Sequence, residues 1–307
     1  MNAIVFPGHG SQYSGMGMEL YDNFPKAKNV FSLIDKLLDF EISRICFFGK
    51  EELNDVYIQQ LAIMAVSLVC YELFKECGIR VDYCSGLSLG EYFSLYPAGV
   101  LTFENIVYLI KKRAEATKKA SEMYPSSMFA VVGLEKQALE KISKEEGIYV
   151  ANINTPNQVV ITVKKEENQK AKDLFKSFNA RAVELDIQGG FHSPYMELAK
   201  GQFRESIAGV DFQNAKVPLV SNFTAKAHTD KDEIRNNVIE QLTAPVLWKD
   251  SVEFMISNGV DTFFEMGPSK ILSGLIRKID SKVKVVGIEN KADIEKLTQI
   301  CSIGGVR

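Results

Sequence analysis

A chain of 307 residues, 46% hydrophobic and 24% charged, can bury a large core and sits near the upper end for one domain, so one large unit with a smaller insertion is expected. A net charge of −3 gives no reason to expect a nucleic-acid partner, since phosphate binding needs a concentrated basic face, and an acidic partner must be met by a local patch. Five cysteines (Cys46, Cys70, Cys77, Cys84, Cys301) at irregular spacing and only three histidines indicate neither a metal site nor a disulfide framework; the thiols read as reduced ones in a cytoplasmic protein.

Asn2 to Phe6 reads as a buried strand running into a glycine turn, without the basic region and apolar stretch of a signal peptide. No run approaches the roughly eighteen uninterrupted apolar residues of a membrane helix, so no membrane partner is expected. Helix is expected from Glu19 to Leu38 and from Ile58 to Cys77, where Leu61, Met64, Ala65, Leu68 and Tyr71 recur at helical spacing. Val81 to Ser85 returns to strand and Phe103 to Lys112 to helix. This alternation argues for a parallel sheet with helices on its faces.

From Met128 the rhythm shortens. Strand Met128 to Leu134, charged helix Glu135 to Glu146, strands Tyr149 to Asn154 and Gln158 to Val163, helix Lys165 to Phe178 and strand Ala180 to Leu185 follow the split βαβ order of a ferredoxin-like unit. After Gly190 the larger pattern resumes with helix Pro194 to Ile207, strand Pro218 to Ser221, helix Trp248 to Asn258, strand Thr262 to Glu265 and helix Ile271 to Ile279. The expected fold class is α/β: a parallel-sheet subdomain of residues 1–125 and 190–307, with a ferredoxin-like subdomain of residues 126–189 inserted.

Gly86-Leu87-Ser88-Leu89-Gly90 forms G-x-S-x-G where a strand ends and a helix begins. Flanking glycines let such an elbow close with the serine hydroxyl exposed, which makes Ser88 the candidate nucleophile; an ordinary strand-to-helix turn has the same five-residue pattern. A serine hydroxyl needs a base near neutral pH, and His192, in Gly190-Phe191-His192-Ser193, is the candidate. His228 sits in a polar, loop-like stretch and reads as a surface histidine. His9 lies in the first glycine turn, where its backbone N–H matters more than its ring.

These segments together resemble the malonyl-CoA:acyl carrier protein transacylases of fatty acid synthesis and the related acyltransferases of polyketide synthesis. Phe6 to Gln12 is similar to F-P-G-Q-G-S-Q, Gly86 to Tyr92 to G-H-S-x-G-E-Y, and Gly190 to Ser193 to the family's histidine motif. Gln60-Leu61-Ala62, Lys112-Arg113, Ala151 to Asn154, Val220-Ser221-Asn222 and Glu265 to Pro268 match in order. The resemblance implies an α/β-hydrolase-like large subdomain, a Ser88/His192 dyad, and an oxyanion hole from the backbone N–H groups of His9 and Leu89. It implies that His192 is oriented by a backbone carbonyl near Gln241. Gln60, Arg113 and Phe191 then bind the acyl group, Arg113 meeting the malonyl carboxylate with two parallel donors. Phe191 crowds a methyl branch and so favours malonyl.

The implied substrate is malonyl-CoA with no bound cofactor, and the implied partner is an acyl carrier protein served by a monomer. Carrier proteins of this kind are acidic, and Lys111, Lys112, Lys118, Lys119, Lys270, Arg277 and Lys278 are the candidates to meet one. Two positions depart from the pattern: Leu87 stands where the family has histidine, and His9 where it has glutamine. The rival readings are a hydrolase that clears acyl groups from carrier proteins, which has no use for Arg113, and a non-catalytic docking module, which has none for Ser88 and His192.

Overall fold

A computed structural model describes residues 1–303 other than 135, 143, 144 and 146, with side chains described outside 136–138 and 300–303. The ends of the helix expected over Glu135 to Glu146, and the Cys301 side chain, lie outside the described residues. Ten strands are present among the described residues: β1 (Asn2–Phe6), β2 (Tyr83–Gly86), β3 (Ser126–Val132), β4 (Ile148–Thr155), β5 (Gln158–Lys164), β6 (Arg181–Glu184), β7 (Leu219–Val220), β8 (Ala227–His228), β9 (Thr262–Met266) and β10 (Lys284–Ile288).

Six strands form one sheet in the order β10-β9-β1-β2-β7-β8, parallel except for the β7–β8 hairpin at one edge. β1 is central and buried on both faces: Ile4 and Phe6 point into one apolar core, Ala3 and Val5 into the other. A parallel strand covered on both faces reads as a continuous apolar run, and Asn2–Phe6 is one. The Val56–Lys75 helix is apolar all round for the same reason. Its length and apolarity would suffice to cross a membrane, but it is mostly buried, packed against the Pro25–Leu38 and Phe103–Met123 helices.

The other four strands form an antiparallel sheet in the order β4-β5-β3-β6, the ferredoxin-like arrangement. Phe129, Val131, Val159, Ile161 and Val163 turn one face to its own apolar core, which includes Phe175 of the Asn168–Ser177 helix. Met128, Ala130, Gln158 and Val160 turn the opposite face to a cavity. In β4 the pairing skips a residue between Val150 and Asn152. This bulge reverses the alternation, so Ile148 faces the apolar core whereas Asn152 and Asn154 face the cavity.

Several expected elements are corrected. The helix over Glu19 to Leu38 is two helices, Met18–Asn23 and Pro25–Leu38, broken at an extended Phe24. A residue before proline is driven from helical geometry, and Pro25 starts the next helix instead. The helix expected to stop at Lys112 runs on to Met123, because Arg113, Ala114, Thr117 and Ala120 continue its buried stripe. The starts of the helices expected at Lys165 and Pro194 are single tight turns, and β8, which carries His228, replaces the expected loop. Ile42–Phe48, Lys231–Glu240, β10 and Lys291–Ile303 are further elements, short or weakly periodic in sequence.

Candidate active site

β2 ends at Gly86 and the next helix begins at Leu89, leaving Ser88 at the turn with φ 54° and ψ −105°. A non-glycine residue held there costs about 1–3 kcal/mol, so the surroundings must hold it. The Asn222 side chain does this from both sides: its Oδ1 accepts from the Ser88 N–H at 2.7 Å, and its Nδ2 donates to the Gly86 carbonyl at 2.8 Å. Gln241 Nε2 donates to the Ser88 carbonyl at 3.0 Å. A Cβ on Gly90 would lie 2.0 Å from the Phe6 carbonyl oxygen, so glycine there brings the end of β1 against the elbow.

His192 reaches Ser88 from a turn after Gly190, with φ 58°. Its Nε2 lies 2.6 Å from Ser88 Oγ and its Nδ1 2.9 Å from the Gln241 carbonyl oxygen. A carbonyl only accepts, so Nδ1 carries the proton and the Nε2 lone pair faces the serine hydroxyl. Burial pushes the His192 pKa down to about 4 against the bond to Gln241, and the Arg113 charge adds to the fall. The ring is therefore neutral near pH 7 and able to take a proton.

Arg113 lies inside the Phe103–Met123 helix, fully buried. Its Nη1 donates to Gln60 Oε1, and the guanidinium carbon sits 4.7 Å from the centre of the Tyr92 ring and 6.0 Å from that of Phe191. Nε and Nη2 have no partner. A buried cation with two unmet donors is costly to the fold, and an anion accepting from both would relieve that cost.

Glu91 was not singled out from sequence, although it lies in the matched serine motif. Its Oε2 accepts from Gln241 Nε2, at 2.5 Å, and from the Asn222 N–H, at 3.0 Å. Glu91 thus holds the two residues that hold the elbow, and Gln241 also fixes His192. Burial raises its carboxyl pKa to about 7 against these bonds. Asn222 was matched as part of a motif but given no role; its double contact with the elbow comes from residues more than a hundred positions away.

A cavity of about 650 Å³ opens at the carboxyl ends of β1 and β2, against the face of the antiparallel sheet that its helices leave uncovered. Ser88, His192, His9 and Phe191 line it, together with Leu87 and Lys278. Arg113, Gln60, Leu89 and Gln241 are fully buried and not part of its lining; Arg113 touches it through Phe191, and Gln241 through Ser88 and His192. The N–H groups of His9 and Leu89 donate to no protein acceptor among the described residues. His228 stands apart on β8, bonded to Thr224 and Glu233. Of the candidate docking cations, Lys112 pairs with Glu115, Lys118 with Asp55 and Lys270 with Asp293. Among the described residues no cluster of three or more potential metal ligands occurs.

The site consists of a neutral imidazole on a strained serine, free N–H groups beside it and a buried cation nearby. Such a set can form a covalent ester and hold an oxyanion. The family described as "Acyl transferase domain" matches residues 3–300. A malonyl CoA-acyl carrier protein transacylase of Bacillus subtilis is 38% identical over 97% of this chain and 96% of its own length. An acyl-carrier-protein-S-malonyltransferase from Bartonella henselae is similar in structure, with a TM-score of 0.92 at 31% identity, covering 98% of this chain and 99% of that one. A type II PKS acyl-carrier protein in complex with its malonyl-transacylase also matches, at TM-score 0.92, 29% identity, and 97% and 99% coverage.

Proposed function

The chain belongs to the acyl transferase domain family, and from that premise we propose that it moves a malonyl group from malonyl-CoA to the phosphopantetheine thiol of an acyl carrier protein. The observation that carries the site assignment is the 2.6 Å contact between Ser88 Oγ and a His192 ring whose other nitrogen is committed to a carbonyl. Residues 126–189 are taken as the inserted unit of residues 1–125 and 190–307, a division supported by all four antiparallel strands lying between Ser126 and Glu184.

In the proposed cycle His192 Nε2 takes the Ser88 proton as Oγ attacks the thioester carbonyl. The N–H groups of His9 and Leu89 receive the oxyanion, where preorganised donors lower the barrier most. The C–S bond breaks, the proton passes from His192 to the coenzyme A sulfur, and a malonyl ester stays on Ser88. The carrier's thiol then gives its proton to His192 and attacks the ester; the C–O bond breaks and Ser88 recovers the proton. Arg113 meets the free carboxylate throughout, and the ring of Phe191 beside it crowds a branched acyl group. Serine, histidine and backbone donors supply every role, so the cycle is drawn without a bound cofactor.

A monomer in the cytoplasm is the proposed working form; buried, unpaired Cys46, Cys70 and Cys84 fit a reducing compartment. Lys278, on the cavity wall, is the proposed first contact for an acidic carrier. Incubation with malonyl-CoA alone, read by intact mass and adduct mapping, tests the cycle. The expected result is one malonyl group on Ser88, absent in Ser88→Ala. Steady release of free malonic acid would point instead to a hydrolase, and carrier binding without any adduct to a docking module.

A further inference from the structure

Among the polar side chains on the cavity wall that the proposed cycle leaves idle, His9 is the one that lies against Phe191. The His9 ring sits 4.8 Å from the ring of Phe191, centre to centre, and its Nε2 is buried without a hydrogen-bond partner. We infer that the His9 imidazole donates a hydrogen bond to the free carboxylate of the bound acyl group and is a specificity-determining residue of this site. The inference rests on the transferase reading above and adds a second ligand for the carboxylate beside Arg113.

Three observations lead there. A buried polar atom without a partner is rare in a folded protein and marks a place where a ligand atom completes the bonding. His9 lies close enough to Arg113 for that charge, after burial, to lower its pKa, and His192 adds to the effect; the ring is neutral, so it offers an N–H without a proton-transfer role. Leu87, next to the nucleophile, is apolar and also lines the cavity. A Cβ on Gly8 would lie 2.5 Å from the Leu87 carbonyl oxygen, so the His9 loop packs directly on the residue before Ser88. The two departures from the family pattern are thus neighbours, with an imidazole gained on one strand end beside the one lost on the other.

The decisive measurement is the ratio of kcat/KM for malonyl-CoA to that for acetyl-CoA, in wild type, His9→Phe, His9→Leu and His9→Gln. All variants keep the backbone N–H, and any distortion of the oxyanion site slows both donors and cancels in the ratio. A hydrogen bond to a charged group is worth about ten- to a hundredfold, so His9→Phe and His9→Leu should lower the ratio by that factor. His9→Gln, which restores a donor, should recover most of it. A ratio within about twofold of wild type in whichever apolar variant folds would overturn the inference, as would a glutamine variant no better than phenylalanine. Should wild type itself form no malonyl ester on Ser88, the transferase reading falls; should it transfer malonyl with a ratio indifferent to His9, only this inference falls.

Discussion

The elbow of the six-stranded sheet and the helix-covered face of the four-stranded sheet are built by opposite rules. At the elbow, Ser88 and His192 both hold positive φ, and Glu91, Arg113, Asn222 and Gln241 are buried polar groups. Between the antiparallel sheet and its helices the core is apolar, with Phe129 on Phe175, and the one irregular strand, β4, turns its displaced residues to the cavity. Local rules are broken where reactivity has to be held in place and kept where only burial is at stake. Substitutions in the first region should therefore act on rate, and those in the second on stability.

The largest separation is expected from His192→Ala. Removing the base should slow acylation of Ser88 by about a thousandfold or more, as members of a catalytic unit do, while the midpoint of urea unfolding barely moves. Single-turnover acylation and urea titration on the same preparation check it; a loss below about tenfold would break the comparison. The mirror experiment is Phe175→Ala. Emptying a buried aromatic site should cost about 3–5 kcal/mol of stability and leave acylation of the folded fraction at its normal rate.

Glu91 sharpens the comparison because it belongs to the elbow yet should register in stability. Its carboxyl titrates near 7 when folded and near 4.3 when unfolded. Between those values the folded state keeps a Glu91 proton that the unfolded chain has lost, so the contribution of Glu91 to stability falls as pH rises through this window and levels off above it. Neutral, buried His9 and His192 push the other way over the same range, so the prediction is a difference: the stability of wild type relative to Glu91→Gln should fall by up to about 3 kcal/mol from pH 4.5 to 7. Parallel unfolding curves for the two proteins across the range would count against a raised Glu91.

The same contrast explains what the sequence could disclose. The elbow was legible because G-x-S-x-G needs glycine at fixed spacing, and Gly90 cannot carry a Cβ against Phe6. His192 was legible as a candidate but its pairing was not, since the partners lie 104 residues apart and no local pattern encodes that contact; resemblance supplied it. The ferredoxin-like order was readable from the short rhythm of alternating strands. The bulge at Val150 and Asn152 was not, because one extra residue leaves the composition of a strand unchanged while it reverses which side chains face the cavity. Arg113 read as following a helix whose buried stripe in fact includes it; a charged residue on an apolar stripe looks like the end of that stripe.

The finest test falls on Asn222, which touches the nucleophile only through its backbone N–H and takes no part in the dyad's proton transfer. Its amide joins the Gly86 carbonyl to the Ser88 N–H, and its own N–H reaches Glu91. Asn222→Ala would leave two buried backbone groups unmet, at about 1–3 kcal/mol each, and the elbow can relieve them only by relaxing toward ordinary φ. That movement swings Ser88 Oγ away from His192 without altering the other walls of the cavity. The expected result is a fall in kcat of about ten- to a hundredfold with KM for malonyl-CoA within about threefold, because a misplacement near 1 Å acts on the transition state. A variant that loses stability alone, with kcat intact, would make Asn222 part of the packing and remove it from the machinery that holds the nucleophile. A fall in kcat at constant KM would extend that machinery past the dyad, to a side chain 134 positions from the serine it positions.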